Sequence, residues 1–200
     1  MDITAEMVKE LRQATGAGVL DCRKALESCE GNFEDASTLL REKGLAAAAK
    51  RAGRETTEGV IEAYVHPGNR VVVMLELNCE SDFVARTDDF KELAHDLALH
   101  IAFSAPRYFT REEVPEDVIE AERDLFRAQA LEEGKPEKVV DRIIDGRMEK
   151  FFQDTCLMEQ PFVKDEDRTI EMLITDGIAK LGENIVLRRF VRYELGESLD

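Results

Sequence analysis

The sequence predicts an α+β fold: a three-helix N-terminal module, a helical linker, and a core in which helices back a small three-stranded antiparallel sheet. Three observations carry this. Apolar residues recur at helical spacing through the first 44 residues and again from residue 88 onward. Residues 59–77 instead carry β-type runs around the turn His66-Pro67-Gly68-Asn69. A last β-type run, Asn184 to Leu195, lies near the far end of the chain, where it can join the hairpin as a third strand.

Thr4 can cap a first helix whose inner face is Met7, Val8 and Leu11 and which ends at Thr15-Gly16. Gly16-Ala17-Gly18 breaks the pattern. A second helix follows with Val19, Leu20, Cys22, Ala25 and Leu26 as its apolar face, stopping near Gly31. Asn32 caps a third, with Phe33, Ala36, Leu39 and Leu40 inward and Gly44 as the residue that closes it. Such a module suits binding, because it is too small to enclose a catalytic cleft. Leu45-Ala46-Ala47-Ala48-Ala49 has high helix propensity, and Lys50, Arg51 and Arg54 follow, so 45–58 reads as a helical linker with a basic face. The expected organisation is therefore a module over 1–44, a linker over 45–58, and an α+β core over 59–200.

In the core, Val60 to Val65 and Arg70 to Leu77 form the hairpin. Its second strand is nearly all apolar before Glu76, which predicts cover on both faces. After Thr87, the residues Phe90, Leu93, Ala94, Leu97, Ala98 and Ile101 make one helical stripe, and Pro106 ends that unit. Three charged helices are expected next. The first runs from Glu116 to Glu133, the second starts at Pro136 with Val139, Val140, Ile143 and Ile144 inward, and the third spans Arg147 to Leu157. A last helix from Asp165 to Gly182 precedes the closing strand.

Composition narrows the function. With 44% hydrophobic and 35% charged residues the chain reads as soluble and globular. No apolar run approaches the roughly 20 residues that cross a bilayer, so no membrane is expected. Met1-Asp2-Ile3-Thr4-Ala5-Glu6 lacks the basic and apolar regions of a signal peptide, which points to the cytoplasm. The net charge of −16 is uneven: residues 1–55 hold nine basic and ten acidic side chains, the remainder 18 and 33. That balance disfavours direct nucleic-acid binding and suits a protein partner.

Cys22, Cys29, Cys79 and Cys156 include no C-x-x-C pair and read as buried free thiols. The three histidines lack metal-site spacing, and no cofactor is implied. Gly16-Ala17-Gly18 follows a helix and has Asp21 where a dinucleotide loop needs glycine. Gly177 and Gly182 have P-loop spacing, but Glu183-Asn184 replace the required Lys and Ser/Thr. His95 and His100 are five apart and project to different sides, whereas His66 sits outward in the hairpin tip. No catalytic set emerges.

What remains is Asn78-Cys79-Glu80-Ser81-Asp82-Phe83-Val84-Ala85-Arg86-Thr87, a strand-to-helix junction. Loops on a rigid scaffold are where binding residues concentrate. Phe83 stands where no periodicity asks for an aromatic, between Asp82 and Arg86, in a turn that Ser81 or Asp82 can cap. Two readings stay open: Phe83 packs under the helix that follows, or it is aimed at another protein.

At this point the residues resemble one family, elongation factor Ts, the bacterial-type guanine-nucleotide exchange factor of elongation factor Tu. Residues Leu11-Arg12-Gln13-Ala14-Thr15-Gly16-Ala17-Gly18-Val19-Leu20-Asp21-Cys22 are similar to its N-terminal signature. Residues Glu76 to Arg86 are similar to its core signature, and Gly134-Lys135-Pro136, Glu149-Lys150-Phe151 and Gln160-Pro161-Phe162-Val163 follow its C-terminal half. The resemblance implies a module like ubiquitin-associated domains, an exchange factor without bond chemistry, and elongation factor Tu as partner. It implies that Ser81, Asp82, Phe83 and Val84 enter the partner's GTPase domain near its Mg2+ site, and that Arg12, Val19, Leu20 and His66 contact it. Ser81 stands where the family usually has Thr, and a hydroxyl is retained. Long members duplicate the core, whereas this chain has one set. Short members pair, so the resemblance implies a homodimer in which Phe83 and His66 come from different subunits, and adds a dimerisation role to the core over 59–200. An adaptor that binds through its N-terminal helices is the alternative.

Overall fold

Two side-chain caps start the N-terminal helices where the sequence places them. Thr4 accepts the Met7 amide and opens α1 (Ala5–Thr15); Asn32 accepts the Glu34 and Asp35 amides and opens α3 (Phe33–Arg51). Between them lies α2 (Val19–Ser28), and Leu11, Cys22, Ala25, Leu26, Ala36 and Leu40 form the shared core. This structure, a computed structural model, describes residues 2–197.

Several expectations change here. Val19 and Leu20 do not join the apolar face; Leu20 is 71% exposed. They occupy the first turn of α2, ahead of the residues that meet the core. Gly44 does not close α3, which continues to Arg51. A Cβ at Gly44 would stand 3.5 Å from the Cβ of Ala179, so the glycine marks a close helix crossing, and the following alanines carry the helix on. Two of the basic residues beyond it bind the chain itself: Arg51 Nε donates to the Gly182 carbonyl at 2.9 Å, and Arg54 pairs with Glu80.

The chain divides into two compact units, Met1–Ala98 with Met172–Asp200, and Leu99–Glu171. In the first, β1 (Glu58–Val65), β2 (Val71–Cys79) and β5 (Ile185–Glu194) form an antiparallel sheet with β2 central, as expected for this α+β fold. The sheet is joined by α4 (Asp82–Ala85) and by parts of α5 (Asp88–Ser104) and α8 (Ile170–Leu181). Val73, Leu75, Leu77 and Cys79 are buried on one face of β2. Among the described residues, the second face lacks the expected cover. Met74 is about half exposed, and beside it Ile61, Val65 and Tyr193 are exposed. The apolar run alone could not distinguish a doubly covered strand from one with an open apolar face. A register shift between Glu76 and Leu77 leaves Arg188 outside the β2 pairing, which explains the uneven alternation along β5.

The second unit holds α6 (Glu116–Glu132) and α7 (Glu137–Thr155), packed through Ala130, Val140, Ile144, Met148 and Phe151. The two helices expected from Pro136 and from Arg147 are one. Gly146 does not break it because Val140, Ile144, Met148 and Phe151 stay in helical phase across it, and an interior glycine costs only about 1 kcal/mol. A Cβ there meets nothing within 4 Å. Gly146→Ala should therefore stabilise the protein by about 0.8–1 kcal/mol, raising Tm by about 2–4 °C in a thermal melt. Residues 165–169 are also not helical. They form β4 (Asp165–Thr169) against β3 (Pro161–Phe162), because the apolar stripe of α8 begins only at Ile170.

His100 is fully buried in this unit, its Nε2 3.0 Å from Gln160 Oε1. The Gln160 amide nitrogen donates to the Asp154 carbonyl, so its oxygen accepts and Nε2 carries the proton. Nδ1 is buried without a hydrogen-bond partner among the described residues. Burial holds this imidazole below its ordinary value of 6.5, although the Gln160 bond pulls the other way. Unfolding lets it take a proton near pH 6.5, so its contribution is full above that pH and is lost as pH falls toward the lowered folded value. Urea midpoints should drop between pH 7.5 and 5.5, and His100→Gln should flatten that slope. Glu80, Glu133 and Glu149 are held below 4.5 and stay ionised in that window.

Candidate functional site

The junction after β2 is tied down at every polar atom of Ser81. Its amide and that of Glu80 both donate to Glu183 Oε2 at 3.0 Å, and its hydroxyl donates to Glu183 Oε1 at 2.6 Å. The same hydroxyl accepts the Val84 amide at 3.5 Å and so caps α4. The Ser81 carbonyl accepts the Cys79 thiol and the Ala85 amide, each at 3.2 Å. Burial, reinforced by the Glu183 charge, pushes the Cys79 thiol up to about 11, so it remains a donor at neutral pH. Reciprocally, Glu80 Oε1 accepts the Asn184 amide at 2.7 Å. That amide, with Arg54, holds the Glu80 carboxyl below its ordinary range.

This frame carries Phe83, which is 80% exposed. The reading in which it packs beneath the following helix is overturned. That helix buries Phe90 instead, while Ala85 is the residue of α4 that turns inward. Asp82 pairs with Arg86 at 2.7 Å, so its carboxylate faces solvent already matched to a cation of its own turn. Val84 is half-buried.

The remaining candidates stand elsewhere. Arg12, Val19 and Leu20 are exposed near the α1–α2 break, and Leu20, like Phe83, is the second residue of its helix. His66 is exposed in the loop between β1 and β2, its Nδ1 3.1 Å from the Tyr64 hydroxyl. Phe83 and His66 lie beyond opposite ends of β2. Nine strand residues put them about 25–30 Å apart, so one chain does not bring them together. Among the described residues no group of three His, Cys, Asp or Glu side chains could hold a metal ion. Cys22, Cys79 and Cys156 are buried free thiols as expected; Cys29 is only half-buried. No described helix is long and apolar enough to cross a membrane.

The sequence reading missed Glu183, Asn184 and Arg54. Glu183 entered only as a residue that spoils a P-loop, and Asn184 as that and as the first residue of the closing strand. No local signal links them to a loop about a hundred residues away, because the connection is made by β5 pairing with β2.

Fold and site define an α+β protein that presents single apolar side chains, Phe83 and Leu20, from the first turns of helices. The family described as Elongation factor TS matches residues 6–197. The chain is 59% identical over 197 residues to elongation factor Ts of Carboxydothermus hydrogenoformans, covering 98% of this chain and 91% of that protein. It is 58% identical over 197 residues to that of Moorella thermoacetica, covering 98% and 97%. With that of Desulfitobacterium hafniense it shares 57% over 199 residues, covering 100% and 92%. The chain belongs to the elongation factor Ts family and has that family's role in translation elongation.

Proposed function

We propose that this chain is a guanine-nucleotide exchange factor that binds elongation factor Tu with GDP, disturbs its Mg2+ site and promotes GDP release so that GTP can rebind. The observation that carries the reading is Phe83, a large apolar side chain left 80% exposed on a turn in which every polar atom of Ser81 is hydrogen-bonded. Such a residue is preorganised for insertion into a partner, because little ordering remains to be done on binding. The chain accelerates release without making or breaking covalent bonds, and no cofactor of its own is needed.

Energetics assign the work to several surfaces. A nucleotide held at nanomolar affinity is bound by about 12 kcal/mol. Accelerating its loss about 10⁴-fold needs roughly 5.5 kcal/mol of differential stabilisation, and burying one Phe supplies about 1.5–3 kcal/mol. The rest falls to docking through the N-terminal module, the domain proposed over 1–44, where Arg12, Val19 and Leu20 are exposed, and through His66. By linkage, nucleotide and exchange factor weaken each other's binding reciprocally. Because Asp82 is paired with Arg86, its influence on the partner's Mg2+ requires that this pair open or turn.

The distance between Phe83 and His66 supports a homodimer in which each partner molecule meets Phe83 of one subunit and His66 of the other. The open sheet face with Ile61, Val65, Met74 and Tyr193 is the natural surface for a second copy. The adaptor reading draws on the N-terminal helices alone, where Arg12, Val19 and Leu20 are exposed. Release of fluorescent GDP from loaded elongation factor Tu decides between them: an exchange factor speeds it in proportion to its concentration, and an adaptor leaves it unchanged. Light scattering tests the dimer, and Met74→Glu should shift any dimer to monomer. A wild-type monomer at micromolar concentration would sink that part of the proposal.

A further inference from the structure

Glu183 stands in the turn between α8 and β5, and Gly182 before it has a φ of +79°. Its two carboxylate oxygens take three donors from the Phe83 turn: the Glu80 amide, the Ser81 amide and the Ser81 hydroxyl. Ionised acceptors make the stronger class of hydrogen bond, and a 2.6 Å O–H···O contact belongs to it. The neighbouring residue returns the interaction, Asn184 donating to Glu80 through its amide and to the Arg54 carbonyl through its side chain.

We propose that Glu183 is the positioning residue of the exchange reaction, holding the Ser81 turn so that Phe83 projects in one orientation before the partner arrives. This rests on the proposed role of Phe83. The carboxylate acts through Ser81 and does not itself touch the partner or its nucleotide. Without it, two amides lose their acceptor and the Ser81 hydroxyl its anchor, and residues 80–83 sample several conformations. The ordering cost then falls on the insertion step. Ordering one to two backbone residues is worth roughly tenfold or more in rate. The loss should appear in the maximal rate, because the N-terminal module and His66 still form the encounter complex.

The test measures fluorescent GDP release from loaded elongation factor Tu against the concentration of full-length wild type, Glu183→Ala, Phe83→Ala and the double variant. Expected are a maximal rate about tenfold lower for Glu183→Ala and a half-saturating concentration within about twofold of wild type. In the Phe83→Ala background the same substitution should add little, since the two act as one device. Glu183→Gln, which keeps the length and an acceptor oxygen, should recover most of the rate. Amide exchange at Glu80 and Ser81 should quicken in Glu183→Ala alone. If that variant does not fold, Glu183→Asp, which keeps the charge and shortens the reach, takes its place in the same cycle. A wild-type rate, a raised half-saturation at unchanged maximum, or equal losses in both backgrounds would overturn the positioning role while leaving Phe83 in place. If Phe83→Ala alone changes nothing, the exchange reading of this turn fails and the positioning role falls with it.

Discussion

Phe83→Ala should slow stimulated GDP release by roughly ten- to a hundredfold while leaving the protein's own stability within about 0.5 kcal/mol of wild type. Both halves follow from one number. At 80% exposure the ring contributes almost nothing to the folded chain, so removing it opens no cavity. The whole of its apolar burial is still available to a partner, and the loss of that burial, about 1.5–3 kcal/mol, sets the range of the rate effect. Ser81, Val84 and Ala85 supply the bonds that shape the turn, and none passes through the Phe83 side chain. Release kinetics from fluorescent GDP-loaded elongation factor Tu, read with a thermal melt of each variant, check both claims. An unchanged release rate would remove Phe83 from the mechanism. A rate loss accompanied by a large fall in Tm would mean that the ring supports the turn.

The sequence carried the sheet, the helical stripe of α5 and the position of the unusual aromatic, because each rests on local periodicity or on a turn. Thr4 and Asn32 were readable as caps for the same reason: their partners lie two or three residues away. What escaped it depends on distant packing. Gly44 and Gly146 look like stops, yet both sit inside helices, the first where α3 comes close to Ala179 and the second where an apolar stripe runs through it. Val19 and Leu20 fit the apolar face by type, but only the assembled helices show that Cys22, Ala25 and Leu26 fill the core. The Ser81 turn was visible as a capped junction; that Glu183 fastens it was not. Periodicity registers neighbours three or four residues apart, and this contact spans 102.

The largest effect on stability should come from Gly59→Ala. Gly59 has a φ of +153°, which L residues rarely adopt, and it lies opposite Asn78 in the β1–β2 ladder. A Cβ built there would stand 2.2 Å from the Leu77 carbonyl oxygen and 2.8 Å from the Asn78 Cα, both main chain of the central strand. No rotamer relieves a clash with backbone, so either β1 lifts away from β2 or Gly59 changes conformation and breaks register. Backbone strain of this kind costs about 1–3 kcal/mol before lost pairing is added. A total near 3–4 kcal/mol is expected, lowering Tm by about 6–16 °C. The damage falls beside the candidate site: Asn78 bonds the Thr56 carbonyl through its side chain, and Cys79 is the next residue, whose thiol holds Ser81. Gly59→Ala should therefore lose exchange activity even at temperatures where it remains folded, whereas Gly146→Ala, in the other unit, should not. A melt and a release assay on the two variants side by side separate these effects. A Gly59→Ala protein with wild-type Tm would show that β1 can move aside at no cost and that the end of the sheet is looser than its register implies.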